Sequence, residues 1–365
     1  MARLRNWRRG IAALKCIQTS CSVASKKKKF LVTGDPLITN STIPKPGSKN
    51  ADSTAFVFTA AQKIQLTLPC ARQRFFPRRH LIAGPYTGEF GYELMQWQGY
   101  IRARRATYES VHVLTYPGRD FLYEGCTVHH HDVELRTAGY GYGHMPRAEK
   151  IAMAHQLAAK IGLENYDIFE TSLLCTRYHK MLFWRQNFLR FQEPVRPGGF
   201  RDIAFHFRAI QKTGPDKTRN YHPDLVRELV EKCRADGLRM LCIGHPNYSL
   251  CPDGVEDCRS VDLRETISAL SSVRLLAGEL SGPFHLANLC GLPTAFFADG
   301  EWRIENCRGW NPFRVPLYVI ANDTMQPPAE LVFQRLRESL ADLAQRTDGF
   351  QRPPYTLPAQ RISWV

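Results

Sequence analysis

This 365-residue chain lacks several features that mark common protein classes. It has no run near the roughly 18 apolar residues that a membrane-spanning helix needs, so at most a peripheral association with a membrane is expected. No two cysteines have the CxxC spacing of zinc ribbons, and the Gly-x-Gly-x-x-Gly fingerprint of dinucleotide-binding enzymes does not occur. The sequence therefore gives no support to an integral membrane protein, a zinc-ribbon protein or an enzyme of hydride transfer.

Acidic residues are nearly missing from the first 79 positions. Only Asp35 and Asp52 stand there against 16 Lys and Arg, whereas the rest of the chain holds 33 basic and 32 acidic residues. The net charge of +15 therefore comes almost entirely from the N-terminal part. Because a groove that follows a phosphate backbone needs a basic face on the folded domain itself, we expect no nucleic-acid binding.

Residues 1–78 are predicted to form a basic, largely disordered leader. The first thirty residues are rich in arginine and serine and contain no acid, and Pro, Gly, Ser, Thr and Asn dominate between Thr33 and Lys63. Such a composition is typical of a disordered tail or of a start codon assigned too far upstream, and also of an organelle transit peptide. We favour the first two, which makes the cytoplasm the expected compartment, with an organelle as the alternative. Ordered structure is expected to begin near Arg79.

The eleven cysteines show no disulfide or zinc pattern. Their count is odd and several lie within apolar runs, as expected for free, buried thiols in a reducing compartment. The triplet His129–His131 lacks a partner cluster at the spacing of metal ligands. We therefore expect no metal site and no other cofactor.

Hydrophobic periodicity predicts an N-terminal α/β domain over residues 79–191. Residues 79–84 (RHLIAG) and 110–116 (SVHVLTY) have the pattern of strands, and YELMQWQGYIRARRATY between them has helical spacing. A second amphipathic helix, RAEKIAMAHQLAAKIG, follows Pro146 and stops at a glycine, which are the usual start and stop signals.

After the Pro- and Gly-rich stretch 192–200 the alternation becomes more regular. The predicted order is strand DIAFHF, helix PDLVRELVEKCRADG, strand LRMLCIG, helix DLRETISALSSV, strand RLLAGE, helix GPFHLANLCG and strand PTAFFAD. Strands that alternate with helices of 10 to 15 residues indicate βαβ units in a parallel sheet. The pattern predicts a Rossmann-like C-terminal domain over 201–325, followed by an amphipathic helix over 326–346.

Two such domains joined by a hinge would hold a ligand in the cleft between them, at the carboxyl ends of the strands. One strand is followed by RAIQKTGPDKTRN, which brings Arg208, Lys212 and Arg219, and another is followed by LSGPFH. In the segment LSGPFH, Ser281 has the position of a helix cap and Gly282 permits close approach of a ligand to the backbone. Cations and a helix N-terminus together predict a site for a diphosphate. Alternatively, these are solvated loop charges and an ordinary cap.

The segment LLAGELSGPFHLANLCGLPTAFF resembles the C-terminal donor-site motif of the lipopolysaccharide heptosyltransferases and related GT-B glycosyltransferases. GPYTGEFGYELMQWQGYIR resembles the N-terminal glycine loop of the same group. The resemblance implies two Rossmann-like domains facing across a cleft, a nucleotide-sugar donor and a glycan or lipid-linked acceptor. It implies that Gly88, Gly282 and His285 lie near the donor and that Glu89 stands at the position of the catalytic base. It also implies that the helix 326–346 lies along the cleft and returns toward the first domain.

The chain departs from that family at Leu280, a position at which the family carries an Asp. The acidic residue of this chain, Glu279, stands one place earlier. A second resemblance is that of FHFRAIQKTG to the His-x-Arg-Arg-x-Asp-Lys stretch of GDP-fucose-dependent fucosyltransferases, in which an arginine holds the β-phosphate. His206, Arg208 and Lys212 match that stretch, while its second arginine and its acid are replaced. Both resemblances imply a nucleotide diphosphate held mainly by the second domain.

Glycosyl transfer needs a base for the acceptor proton, a grip on the leaving diphosphate and exclusion of water. Glu89 is the candidate base and Glu93 is the rival carboxylate, although Glu89 could instead interact with a helix dipole or capping amides. No Asp-x-Asp motif occurs. The charge on the leaving group is therefore expected to be met by Arg208, Lys212, Arg219 and the helix end, without a metal ion.

The position of His285 has two interpretations. One turn inside the helix start, it could pack or bond to a carbonyl, or it could donate to a phosphate or sugar oxygen beside the free backbone amides. Leu286, Leu289 and Cys290 are predicted to form the buried stripe, which would leave His285 off it. Two other functions share the same diphosphate site, namely a sugar-nucleotide epimerase, which needs no acceptor, and a non-catalytic binding module, in which Glu89 would be dispensable.

Overall fold

The N-terminal part of the chain contributes one described helix. The structure is a computed structural model that describes residues 60–133, 145–175, 185–193, 196, 198–209, 220–346 and 360–363. Contacts divide the chain into two compact units, Met1–Phe76 and Pro77–Val365. In the first unit the described helix is α1 (Ala60–Phe75). This helix lies before Arg79, where ordered structure was expected to begin. It was not predicted because Pro69 lies inside it, and a proline usually indicates the end of a helix. The leader over 1–78 stays a prediction.

A four-stranded parallel sheet forms the first half of the unit Pro77–Val365. Its strands are β1 (His80–Ala83), β2 (Ser110–Thr115), β3 (Thr127–His130) and β4 (Tyr166–Phe169). They lie in the order β3-β2-β1-β4, and Ile82 in β1 aligns with His112 and Ile168 in its two neighbours. β1 and β2 confirm predicted strands. β3 and β4 were not predicted, because four residues of mixed polarity carry little periodic signal.

The first helix of this half is irregular. The helices are α2 (Phe90–Tyr92), a π-helical turn (Glu93–Trp97), α3 (Gln98–Arg105) and α4 (Arg147–Lys160). Short 3-10 turns occupy Asp120–Tyr123 and Thr171–Cys175. The two predicted helices are thus confirmed, and the first contains a π-helical turn, a rare conformation that often occurs at functional sites.

A seven-stranded sheet forms the second half of the unit. Its strands are β6 (Arg201–Arg208), β7 (Met240–Cys242), β8 (Ser249–Leu250), β9 (Glu256–Asp257), β10 (Val273–Gly278), β11 (Thr294–Ala298) and β12 (Leu317–Ala321). The order is β12-β11-β10-β6-β7-β9, all parallel, and β8 pairs antiparallel with the end of β6. The four predicted strands β6, β7, β10 and β11 are confirmed. β11 is buried at every residue, as expected for a sheet covered on both faces.

Five helices belong to this second half. They are α5 (Pro223–Ala235), α6 (Leu263–Ser271), α7 (Gly282–Leu289), α8 (Glu301–Gly309) and α9 (Ala329–Gln345). Four of them confirm predicted helices, and α8 was not predicted. Asp262 caps α6 by accepting a hydrogen bond from the Arg264 amide at 2.8 Å.

The C-terminal helix α9 belongs to the core of the second sheet. Val332, Leu336 and Leu340 are buried in the same apolar cluster as Leu229 of α5 and Phe205 of β6. The main packing partners of α9 are α5, β10 and β12. The expected placement along a cleft and toward the first half is therefore wrong, because the apolar stripe of α9 completes the core of the second sheet.

The α/β architecture with parallel sheets is confirmed, and the unit is completed by an antiparallel pair, β5 (Arg185–Phe188) and β13 (Gln360–Ser363). Both parallel sheets lie in one compact unit, so the division into domains at 79–191 and 201–325 stays a prediction. Eight cysteines in the described ranges are free thiols, six of them buried, as expected. Within those ranges no helix combines the length and the apolar character needed to cross a bilayer.

Candidate functional site

A cavity of about 560 Å³ lies between the ends of the two parallel sheets. Its wall combines the start of α2 and the loop after β2 with the end of β6 and with segments that follow β7, β9 and β10. Ligands of open α/β sheets usually bind at the carboxyl ends of the strands, which is where these segments begin. The volume falls within the range of roughly 300 to 1,000 Å³ that small-molecule sites occupy. The cavity is therefore the candidate functional site.

The structure brings five of the nine predicted site residues to the wall of this cavity. The five are Glu89, Arg208, Ser281, Gly282 and His285. Gly88 is buried one residue before the wall begins, and Glu93 is buried and does not line the cavity. Lys212 and Arg219 lie outside the described residues.

Glu93 has a fully enclosed side chain whose two carboxylate oxygens are both engaged. Oε1 accepts hydrogen bonds from Thr115 Oγ1 at 2.7 Å and from Tyr123 OH at 2.6 Å, and Oε2 is paired with the Arg119 guanidinium. Burial and the adjacent carboxylate raise the pKa of Tyr123 well above its usual value. These contacts attach the π-helical turn to the end of β2 and to the 3-10 turn that follows it. Glu93 thus anchors the part of the cavity wall that belongs to the first sheet.

Glu89 stands directly before α2 and lines the cavity with a partly exposed side chain. Its backbone is extended (φ −66°, ψ 140°) and its side chain forms no capping hydrogen bond with the helix. Its carbonyl oxygen accepts hydrogen bonds from Tyr86 OH at 2.6 Å and from the Tyr92 and Glu93 amides at 3.1 and 3.2 Å. The backbone of Glu89 is thus held firmly while the carboxylate lies at the cavity wall, and the alternative role of a helix cap is not realised.

Ser281 occupies the N-cap position of α7 without capping it. Its hydroxyl oxygen is buried and has no hydrogen-bond partner within the described part of the chain. A buried polar group without a partner costs roughly 1 to 3 kcal/mol, so such groups usually need an explanation. Since Ser281 lines the cavity beside the first N–H groups of α7, its hydroxyl is placed to bond to a ligand.

Gly282 and Gly91 allow the starts of α7 and α2 to touch. A Cβ atom added at Gly282 would lie 2.9 Å from Phe90 Cδ1, and one added at Gly91 would lie 3.1 Å from His285 Cδ2. Both distances are shorter than ordinary van der Waals contact. We call this set of four residues, Phe90, Gly91, Gly282 and His285, the helix-start contact. The space that Gly282 leaves open is thus occupied in part by the ring of Phe90.

His285 is both a packed side chain and a part of the cavity wall. Only 5% of the residue is exposed, and its ring meets those of Trp310 and Phe284 edge-on at centroid distances of 5.3 and 5.4 Å. The expectation that His285 would lie off the buried stripe of α7 is wrong, because every residue from Phe284 to Leu289 is buried. The helix is enclosed on all sides, by its own sheet and by the helix-start contact.

Arg208 ends β6 and differs from the other arginines of the cavity wall. Arg119 is paired with Glu93, and Arg303 is paired with Asp299. The Arg208 guanidinium has no carboxylate partner among the residues that the structure describes. Among the described arginines of this wall, Arg208 is therefore the one whose guanidinium is not paired with a carboxylate.

His206 lies two residues before Arg208, on the same strand, and contributes no positive charge at neutral pH. Its Nδ1 donates a hydrogen bond to the Ile243 carbonyl at 3.2 Å. Burial, with a smaller effect of the nearby Arg208 charge, lowers its pKa to about 4. The imidazole is accordingly a neutral, fixed element of the wall.

Most residues of the wall were not among the predicted site residues, and His245, Tyr248 and Val261 are three of these. Tyr248 is 40% exposed and stacks on His245 with ring centroids 4.6 Å apart, and Val261 is 74% exposed. They form an apolar edge on the side of the second sheet. Position alone could have suggested them, because His245 and Tyr248 follow β7 and Val261 follows β9 at the carboxyl ends of parallel strands.

The histidine triplet does not converge on a common point. His129 bonds to His112, His130 to Asp120, and His131 to the carbonyl of Tyr86. In the described ranges no group of three or more His, Cys, Asp or Glu side chains is arranged to hold a metal ion.

No protein-family model matches the chain, and no curated protein matches it at a significant level. Among solved structures, the ADP-heptose lipopolysaccharide heptosyltransferase II of E. coli is similar at 13% identity and a TM-score of 0.47, over 72% of this chain and 99% of that chain. A family 9 glycosyl transferase from Veillonella parvula gives 10% identity and a TM-score of 0.46, over 73% and 97%.

The iron-containing dodecameric glycosyltransferase TibC from enterotoxigenic E. coli is a third similar structure. It gives 16% identity and a TM-score of 0.38, over 60% of this chain and 58% of that chain. The chain thus spans less than two thirds of the length of TibC. Similarity at this level assigns no activity, substrate or partner to the chain.

Proposed function

We propose that this protein is a glycosyltransferase that moves a sugar from a nucleotide-diphosphate sugar to a hydroxyl group of a glycan or lipid-linked acceptor. The observation that carries this proposal is that anion-binding groups and a carboxylate line the same cavity. An arginine and an unpartnered hydroxyl at a helix start lie on its second-sheet side, and a carboxylate lies on its first-sheet side. The two halves would act as two Rossmann-like domains facing across this cleft in the GT-B manner.

The donor diphosphate would bind at the start of α7. The first backbone N–H groups of the helix and the Ser281 hydroxyl offer hydrogen bonds to phosphate oxygens, and the helix dipole favours negative charge there. Arg208 supplies a positive charge at the end of the neighbouring strand β6. Lys212 and Arg219 follow Arg208 in the sequence and would add further positive charge, while Gly88, Gly282 and His285 would shape the site around the donor.

The nucleoside would bind at the apolar edge of the cavity. Tyr248, stacked on His245, and the exposed Val261 offer aromatic and apolar surface. A planar base gains from stacking on an aromatic ring, and it leaves the phosphates free to reach the basic part of the wall. This edge supports a nucleotide in preference to a simple phosphorylated sugar.

Glu89 would act as the base. As the acceptor oxygen forms its bond to the anomeric carbon, the carboxylate takes the proton of the acceptor hydroxyl. The bond from the anomeric carbon to the diphosphate oxygen breaks, and the nucleoside diphosphate leaves with the electron pair. Arg208, Ser281 and the α7 amides would stabilise the charge that develops on that leaving group without a metal ion. Glu93 is the less suitable base because both of its oxygens are already engaged in a buried network.

A thermal-shift screen with UDP, GDP, ADP and CMP tests the donor half of the proposal. A ligand at 100 times its Kd stabilises a protein by about 2.7 kcal/mol, which should raise the Tm by about 5 °C or more. Nucleotide sugars incubated with and without acceptors test the rest. Acceptor-dependent release of nucleoside diphosphate supports transfer, an altered nucleotide sugar without acceptor points to an epimerase, and binding without turnover points to a binding module. If no nucleotide shifts the Tm, the proposal fails.

A further inference from the structure

Glu279 has a buried carboxylate that bonds to the backbone at two places far apart in sequence. The residue follows β10 directly and is only 2% exposed. Its Oε2 accepts a hydrogen bond from the Arg208 amide at 3.1 Å, and its Oε1 accepts one from the Tyr221 amide. One side chain thus holds the point where the chain leaves β6 and the point where it returns ahead of α5.

The local backbone brings Glu279 to this place. Gly278 has a φ of +138°, a conformation that residues other than glycine rarely adopt. A Cβ atom at this position would also collide with the carbonyl oxygen of His206. β10 and β6 can therefore run close together up to their ends, and Glu279, the residue after β10, reaches the amide at the end of β6.

The second point of attachment is itself rigid. Tyr221 is 1% exposed, its ring packs against Phe297 and Phe207, and its hydroxyl donates a hydrogen bond to the Pro327 carbonyl at 2.7 Å. Glu279 therefore links the last residue of β6 to an anchored residue of the core. The Arg208 backbone gains a fixed position although its side chain lines an open cavity.

We propose that Glu279 is a positioning residue for the anion site, because its bonds to the Arg208 and Tyr221 amides set the direction in which Arg208 enters the cavity. This inference rests on the proposed nucleotide site. It assigns to a buried acid a role that strengthens the binding of an anion.

The sign of the effect separates this role from simple electrostatics. Neutralising a carboxylate next to an anion site should raise the affinity for a nucleoside diphosphate if only the Coulomb interaction matters. In Glu279→Gln the new amide group can accept only through its oxygen, and its nitrogen faces a backbone N–H, so one of the two attachments is lost. The positioning role therefore predicts weaker binding. Glu279→Asp keeps the charge but is one methylene shorter and cannot serve both amides, so it should also bind more weakly.

The first measurement is calorimetry with the nucleoside diphosphate that gives the largest thermal shift in the wild-type protein. Glu279→Gln should weaken its binding by about fivefold or more, and by no more than Arg208→Ala does, since the effect acts through Arg208. The double variant Arg208→Ala/Glu279→Gln should bind within about twofold of Arg208→Ala alone. Glu228→Gln removes an exposed carboxylate on α5 outside the cavity wall and is the matched control, with unchanged affinity expected.

The second measurement needs no ligand. Hydrogen exchange followed by mass spectrometry should show faster exchange in peptides that contain the Arg208 and Tyr221 amides in Glu279→Gln, and not in Glu228→Gln. If Glu279→Gln does not fold, Glu279→Asp is measured in the same two ways.

The outcomes divide cleanly. Faster exchange together with weaker, non-additive binding supports the positioning role. Unchanged exchange, or affinity that stays equal or rises, overturns it. If the wild-type protein binds no nucleoside diphosphate, both the proposed function and the positioning role fail. This result differs from a failure of the positioning role alone, in which the wild-type protein binds the nucleotide, and the exchange data report on the two amide bonds in either case.

Discussion

Replacing Glu93 by Gln should destabilise the protein strongly, because the change removes the buried negative charge that is paired with Arg119. The Gln amide would turn either its nitrogen toward the guanidinium, or its oxygen there and its nitrogen toward the Thr115 and Tyr123 hydroxyls, which would then have to accept. In both orientations the buried Arg119 charge loses its counter-charge. The Arg119 side chain is only 8% exposed and the Glu93 side chain is not exposed at all. Breaking a buried pair by removing one partner costs about 3 to 5 kcal/mol. For a unit of this size that cost corresponds to a fall in Tm of roughly 6 to 20 °C.

Glu89→Gln is the matched control, since it makes the same chemical change four residues earlier. Glu89 is partly exposed at the cavity wall, and exposed ion pairs are worth at most about 1 kcal/mol, so the Tm should fall by no more than a few degrees. If Glu89 is the base, donor affinity should stay near normal while transfer drops at least ~100-fold.

Thermal and urea unfolding followed by circular dichroism give the stability of the two variants, and calorimetry and a transfer assay give their function. A wild-type Tm for Glu93→Gln would refute the reasoning about the buried network. Loss of transfer by folded Glu93→Gln, with Glu89→Gln active, would mean that the base is Glu93. Transfer by both variants at the wild-type rate would end the assignment of a general base to this loop.

Three further predictions concern the second-sheet side of the cavity. Arg208→Ala should weaken nucleotide binding about tenfold or more in calorimetry, because a charge-assisted contact worth about 1.5 to 3 kcal/mol is lost, and unchanged affinity would remove Arg208 from the site. Ser281→Ala should leave the unfolding free energy of the ligand-free protein equal or raise it by up to ~1 kcal/mol, yet weaken nucleotide binding, and a clear loss of stability would show that the hydroxyl has a structural partner. His206 has a folded-state pKa of about 4 against 6.5 for the free group, so its contribution to stability is fully present above pH 6.5 and is lost as the pH falls toward 4, by about 3 kcal/mol. His206→Asn should flatten that part of the pH dependence in urea unfolding, and an unchanged slope would show that His206 is not its source.

The strands and helices of the second half follow directly from local signals in the sequence. Strand β11 is apolar from Ala295 to Ala298, and α7 opens with Pro283 in its first turn. Such features depend on neighbours in sequence, which is why their positions could be predicted. Helix α1 was not found because Pro69 lies within it, and α9 was assigned the wrong neighbours because an apolar stripe does not tell which surface it covers.

The candidate site was predictable in its members and less so in their roles. Glu89 and Glu93 stand in the same short segment, and only the return of Arg119 and Tyr123 from beyond β2 makes one of them a buried anchor. Ser281 carries every local sign of a cap, but the cap bond depends on backbone angles that the sequence does not reveal. Exposed wall residues such as Tyr248 carry no periodic signal at all.

The helix-start contact has a consequence for how this sequence can change over generations. Every single-nucleotide change in a glycine codon that does not preserve glycine or stop translation introduces a side chain with a Cβ atom. At Gly282 that atom would meet the ring of Phe90, and at Gly91 it would meet the ring of His285. Neither glycine can therefore be exchanged freely by itself. In related chains, we expect a larger residue at one of these glycine positions to coincide with a smaller one at the position it faces, so that the two halves of the cavity are inherited as a matched pair.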